Sequence, residues 1–278
     1  SMRHARTSMV LTVLTVLLGG GLLAAPGAQA VVSGTRSANS TPCTHRLIAA
    51  HEGYRAHTDG DTVASQIAAY RIGASLADSD LWVTKDGHIV QMHDNDVSHS
   101  TNGTGLVTDM TLRQVLALRT TGHDEPVPTL NDSLAIRTAH QAGRYLMFET
   151  KFSFRSTANL RLLAHQISAA GMTHHVIIYS VYLNQLTELK QLDPSLQVWY
   201  KPTTVPPVNE VSNLNGVMLQ LDQITRHLVK RFHNAGLKVI RQRMSETHAE
   251  WKQFVATGAD GMMTDFPLKM IRLCRALP

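Results

Sequence analysis

Short apolar runs alternate along the chain with segments whose apolar residues recur at helical spacing. Runs at 46–50, 78–83, 89–92, 145–151, 175–180, 196–200, 216–221, 238–241 and 261–265 have the length and content of strands. Between most of them lie helical patterns at 63–72, 112–118, 130–142, 160–170, 183–192, 224–235 and 249–256. Thr62, Thr111 and Thr129 stand where N-caps are expected, and Gly73 and Gly236 where helices stop. About eight strands in this alternation predict parallel βαβ units, and in about 250 residues they predict a closed (β/α)8 barrel of the α/β class, the TIM-barrel architecture. A doubly wound open sheet is the competing architecture, but no glycine-rich phosphate loop follows the first strand to support it.

The N-terminus is set apart from this pattern. Met2-Arg3-His4-Ala5-Arg6 is basic, residues 9–23 are apolar and broken by glycine, and Ala28-Gln29-Ala30 has the small-x-small form of a cleavage site. Residues 1–30 are therefore expected to be a secretory signal cleaved after Ala30, with Ser1 an added residue; a retained membrane anchor is the alternative. Residues 31–45 form a Ser/Thr-rich lead, and 46–278 a single barrel domain. The formal net charge of +5 includes Arg3 and Arg6, so the remainder is mildly basic. That favours small anionic substrates or an anionic surface and excludes a nucleic-acid footprint. Cys43 and Cys274 lie near opposite ends of the exported chain. One disulfide is expected if the fold brings them together, with two free thiols as the alternative.

The chemistry gathers at strand ends. Asp78 and Asp80 sit two apart, so on a strand their side chains share a face, and the turn Lys85-Asp86-Gly87 leads back through a second apolar run to His93-Asp94. A carboxylate pair with a histidine beside it is what divalent-metal and acid–base chemistry needs; the competing reading is a hairpin with solvated charges. His51 ends the first strand, and Glu149 and Lys151 end the run at 145–151, where an ordinary surface ion pair is the alternative. Arg241 and Arg243 would share a face at a later strand end and could contact phosphate there, unless one of them pairs with Glu52 or Glu246. His57, His99, His123, His140 and His165 lack carboxylate partners at metal-binding spacing, His174-His175 reads as loop before a strand, and Ser180 lacks a nucleophile-elbow glycine pattern.

His51-x-Gly53, Gly73-Ala74 with Asp78-x-Asp80, Thr84-Lys85-Asp86-Gly87, His93-Asp94, residues 101–112, Glu149-x-Lys151 and residues 258–267 occur in an order and spacing that resemble the glycerophosphodiester phosphodiesterase family. The resemblance spans nearly the whole chain after the N-terminal segment. It implies that Asp78, Asp80 and Glu149 ligate a divalent cation, Mg²⁺ or Ca²⁺, and that His51 and His93 form the acid–base pair. Lys151 would add a fixed positive charge for the phosphate. The implied activity is a secreted phosphoric diester hydrolase of lipid metabolism, acting on small or lipid phosphate esters such as glycerophosphodiesters or lysophospholipids, with transient contact at a membrane surface.

Four departures from the family pattern bear on substrate range. Glu52 stands where the family has arginine, an anion for a phosphate-binding cation. Asp59-Gly60-Asp61-Thr62 replaces a Pro-Glu-Asn-Thr turn, Asp78 is one methylene shorter than the usual glutamate, and Arg241-Gln242-Arg243-Met244 replaces an apolar or aromatic strand end. A lyase, cyclase or transferase that ionises a phosphate or diphosphate ester is the second reading of the same residues. A catalytically inactive, anion-binding barrel is the third.

Overall fold

The computed structural model describes residues 46–244 and 247–276, apart from the side chains of 243 and 244. The expected signal, the lead and Cys43 lie outside these residues, as do the Arg243 side chain and Glu246. In chain order the elements begin with β1 (Leu47–Ala50), α1 (Val63–Ile72), β2 (Leu76–Val83), β3 (Ile89–Gln91), α2 (Leu112–Leu116) and α3 (Leu130–Leu134). They continue with β4 (Tyr145–Thr150), α4 (Thr157–Ala169), β5 (Val176–Ser180), α5 (Leu183–Leu192), β6 (Gln197–Tyr200) and α6 (Val208–Val211). The last are β7 (Gly216–Leu219), α7 (Arg226–Asn234), β8 (Lys238–Met244), α8 (His248–Thr257), β9 (Gly261–Thr264) and α9 (Pro267–Ala276). Among the described residues no helix is long and apolar enough to cross a membrane.

β1 pairs in parallel with both β2 and β9, so the sheet closes on itself as the barrel pattern predicts. Eight parallel strands form the ring. β3 lies outside it, antiparallel to β2 with Leu81 opposite Gln91, which makes 76–91 a hairpin attached to the barrel. Local chemistry sets several boundaries. The Thr62 side chain accepts from Ser65 N, and Gly73 at φ 101° turns the chain out of α1 while its N–H reaches the Ala69 and Tyr70 carbonyls. Thr111 and Thr129 cap α2 and α3 in the same way. The helix expected over 130–142 is shorter: it ends at Leu134, Ile136 is extended, and His140 Nε2 donates to the Leu134 carbonyl at 2.8 Å in place of a following amide. The final helix, α9, carries Pro267 at its first position, where a missing N–H costs nothing.

Two apolar layers divide the strand faces. Ala49, Leu76, Met147, Ile177, Tyr179, Trp199, Met218, Ile240 and Met263 fill the barrel interior. The alternate positions, such as Ala50, Ala77, Phe148, Val217, Val239 and Met262, pack outward against the helices. This parity positions the site. Two residues beyond each interior residue the side chain again faces inward, at the C-terminal mouth of the barrel.

Candidate active site

Stepping by two from the interior layer reaches a charged residue on five strands: Ala49 to His51, Leu76 to Asp78 and on to Asp80, Met147 to Glu149 and Lys151, Trp199 to Lys201, and Met263 to Asp265. Asp80 and Glu149 are register partners on β2 and β4. The Lys151 ammonium sits between them, 3.2 Å from Asp80 Oδ1 and 3.3 Å from Glu149 Oε2. Lys201 holds Glu149 from the other side, at 3.2 Å from Oε1 and 3.0 Å from Oε2.

His51 is fixed through Nδ1, which lies 2.7 Å from Asp265 Oδ1 and donates to it. The same oxygen accepts from Arg55 Nη2 at 2.8 Å, and Arg55 Nη1 donates to Glu52 Oε2 at 2.8 Å. The other nitrogen of His51, Nε2, faces Glu52 Oε1 at 3.9 Å. His93, carried in by the β2–β3 hairpin, places Nε2 4.0 Å from the same Glu52 oxygen and 3.9 Å from Asp80 Oδ2, while Asp94 holds its Nδ1 at 3.1 Å. The two histidines therefore meet across one carboxylate oxygen.

Among the described residues, six carboxylates, Glu52, Asp61, Asp78, Asp80, Glu149 and Asp265, crowd this mouth with three obligate cations, Arg55, Lys151 and Lys201. Burial and the surrounding negative charge act together on the buried acids. Burial, then the charges of Glu52 and Asp78, push Asp61 up to about 7, although it accepts a hydrogen bond from Asp80 N. Burial likewise raises Asp78 and Asp80, the latter also under the charge of Asp61. Burial would raise Glu149 too, but Lys151 and Lys201 outweigh it and its carboxyl is lowered. Burial works against an imidazolium at His51, yet its hydrogen bond to Asp265 and the charges of Asp78 and Glu52 prevail and raise its pKa.

The donor set fits a hard divalent cation. Asp78 is fully buried beside the Tyr179 side chain, its Oδ2 accepts from Glu52 N at 3.1 Å, and no well-formed hydrogen bond reaches its Oδ1 among the described residues. An orphaned, solvent-free carboxylate oxygen among surplus negative charge is what such an ion satisfies.

The structure thus brings together His51, Glu52, Asp78, Asp80, His93, Glu149 and Lys151. It does not bring Arg241 to them. Ile240 faces the interior, so Arg241 turns outward between strand and helix, where Nη2 lies 3.7 Å from Glu250 Oε1 on α8. The expected phosphate contact at Arg241 is corrected on that ground. Asp265, Arg55, Lys201 and Asp61 have places in the site that the sequence reading did not assign. For Asp265 and Lys201 the signal was available, since each stands two residues beyond an inward-facing core residue at a strand end.

The closed ring and its charged, histidine-bearing mouth define a (β/α)8-barrel enzyme. Residues 51–269 match the model of the Glycerophosphoryl diester phosphodiesterase family, and the chain belongs to that family. A glycerophosphodiester phosphodiesterase of Caldanaerobacter subterraneus is 26% identical over 242 residues, covering 82% of this chain and 98% of that protein. Among solved structures, a putative glycerophosphodiester phosphodiesterase from Galdieria sulphuraria superposes with a TM-score of 0.75 at 20% identity, covering 82% of this chain and 97% of that one. An Oleispira antarctica phosphodiesterase, solved with the product sn-glycerol-3-phosphate, gives 0.72 at 20% identity over 82% of this chain and 96% of that one.

Proposed function

We propose that this chain is a cation-dependent phosphoric diester hydrolase of the glycerophosphodiester type, with His51 and His93 as its acid–base pair. The observation that carries this is the convergence of both Nε2 atoms on one point of the mouth, at 3.9 and 4.0 Å from Glu52 Oε1, beside the buried Asp78 and Asp80. Asp78 and Asp80 would help hold the cation, which when bound supplies positive charge to a phosphate oxygen. Lys151 presents a second fixed charge at the same level. His51, with its raised pKa and its Nδ1 committed to Asp265, carries a proton on Nε2 to the oxygen of the leaving alcohol as the P–O bond breaks. His93, held at Nδ1 by Asp94, takes the proton of the attacking oxygen, from water or a neighbouring substrate hydroxyl, as the new P–O bond forms.

The Glu52 carboxylate in place of the family arginine supports an altered substrate range, and the N-terminal basic, apolar and small-residue pattern supports export. Purified protein with Mg²⁺ or Ca²⁺ is expected to release alcohol and phosphomonoester from members of a panel of glycerophosphodiesters and lysophospholipids. No release from any of them overturns the reading. In ¹⁸O-labelled water, label enters the phosphomonoester if water attacks, and enters no product if a substrate hydroxyl closes a cyclic phosphate.

A further inference from the structure

The cation assigned above needs ligands, and resting on that reading, the geometry points to one that the family pattern does not provide. Glu149 is poorly placed to serve, because both of its oxygens are engaged by ammonium groups at 3.0–3.3 Å. Glu52 is free to serve on one side. Its Oε2 is held by Arg55 at 2.8 Å, whereas Oε1 has no hydrogen bond among the described residues and faces the two histidine nitrogens at 3.9 and 4.0 Å. A Glu52 oxygen, an Asp80 oxygen and a His93 nitrogen lie within 4.8 Å of one another.

The backbone is bent to put Glu52 there. Glu52 has φ 53°, a conformation that disfavours side chains, and is kept in it by its N–H to Asp78 Oδ2 and by Asp61 N and Ser65 Oγ donating to its carbonyl at 3.2 and 3.0 Å. Space is cleared for the carboxylate as well. A Cβ on Gly60 would stand 2.5 Å from Glu52 Oε2, so the carboxylate fills the volume in which a side chain at position 60 would begin. Asp78, whose buried Oδ1 receives no well-formed hydrogen bond among the described residues, accepts from the Glu52 amide and so adjoins this group.

We infer that Glu52 is a cation ligand together with Asp80, in the role the family pattern gives to Glu149, and that Gly60 is required to keep its carboxylate in position. The two departures at 52 and 60 are then one change: a carboxylate supplied from the end of β1, with the room that it needs.

Calorimetric titration of the full chain with Mg²⁺ and with Ca²⁺, in the absence of substrate, tests this. E52Q is expected to weaken cation affinity by at least the roughly 10- to 100-fold that loss of a ligand-supporting group costs, while E149Q stays close to wild type. G60A, whose methyl would stand 2.5 Å from Glu52 Oε2 and 3.1 Å from both Glu52 Cβ and Arg55 Cδ, is expected to move the carboxylate and weaken affinity about tenfold, with a melting curve to show that the variant still folds. The double variant G60A/E52Q should be no weaker than E52Q alone. Loss of affinity in E149Q with E52Q intact overturns the inference and leaves the hydrolase reading standing, as does full additivity of G60A and E52Q. Absence of cation binding by wild type overturns the inference also, and the ester panel then decides the hydrolase reading separately.

Discussion

β4 and β8 end alike in sequence, each with a charged residue, an uncharged one and a second charged one: Glu149-Thr150-Lys151 and Arg241-Gln242-Arg243. Their structural fates differ. On β4 the interior residue is Met147, an even step from both charges, so Glu149 and Lys151 enter the mouth and pair with Asp80 and Lys201. On β8 the interior residue is Ile240, an odd step from Arg241, so the guanidinium faces Glu250 on α8, opposite in register to the outward Met262. A strand has a side-chain period of two, and a one-residue phase difference moves a charge from the catalytic layer to the helical layer. Charge at the end of a barrel strand is thus a functional signal only when read against the parity of the core.

Substitutions at the two ends can break this contrast. Replacing His51, an inward residue by the same rule, with alanine is expected to lower kcat/KM by about 10²- to 10⁴-fold with the melting temperature nearly unchanged. Lys151→Met on β4 should cost about 10²- to 10³-fold, the usual effect of losing one fixed electrostatic donor to a reacting group. Asp265→Asn removes the hydrogen bond and charge that raise the His51 pKa. With His51 acting as the proton donor proposed above, the alkaline limb of the kcat/KM profile is expected to move to lower pH. An unmoved limb would separate Asp265 from the titration of His51.

Arg241→Met on β8 should leave kcat/KM unchanged. It should alter stability by no more than about 1 kcal/mol, since the guanidinium is buried with Nε and Nη1 lacking a partner among the described residues and Glu250 is partly exposed to water. A large loss of activity in that variant would return Arg241 to the site. The smallest effect concerns the loop after β1. Asp59 is lowered: burial would raise it, but hydrogen bonds from Thr120 and from the amide and ring of His123 prevail. A depressed carboxyl contributes stability that is present above its unfolded value of 3.8 and is lost as pH falls through that value and below. The stability difference between wild type and Asp59→Asn should therefore shrink on acidification, as followed by chemical denaturation.

Much of the barrel was legible because its signals are local. α1 and α5 have the boundaries that apolar spacing predicts, and Thr62, Thr111 and Thr129 cap as their positions imply. α3 stops early: Ile136 is extended and His140, six residues beyond Leu134, takes the Leu134 carbonyl, which no period announces. In the site, Asp78, Asp80, Glu149 and the two histidines could be named from strand ends and motif order. Arg241 was misplaced because phase was counted from the charges themselves and not from Ile240. Arg55 and Asp61 were missed for a different reason: both lie in the loop after β1, where position depends on left-handed turns at Glu52 and Asp61 and on contacts far along the chain. Such loops carry function without periodicity.

The bond between His51 and Asp265 joins residues 214 positions apart, on the first and last strands of the ring. A chain growing from its N-terminus carries Asp78, Asp80 and Glu149 long before it carries the residue that steadies the first histidine. Closure of the barrel and the fixing of His51 by Asp265 are therefore one event. On the proposed mechanism, truncated or half-made copies are expected to keep the acidic end of the machinery yet stay chemically silent, with turnover appearing only once the last strand has docked.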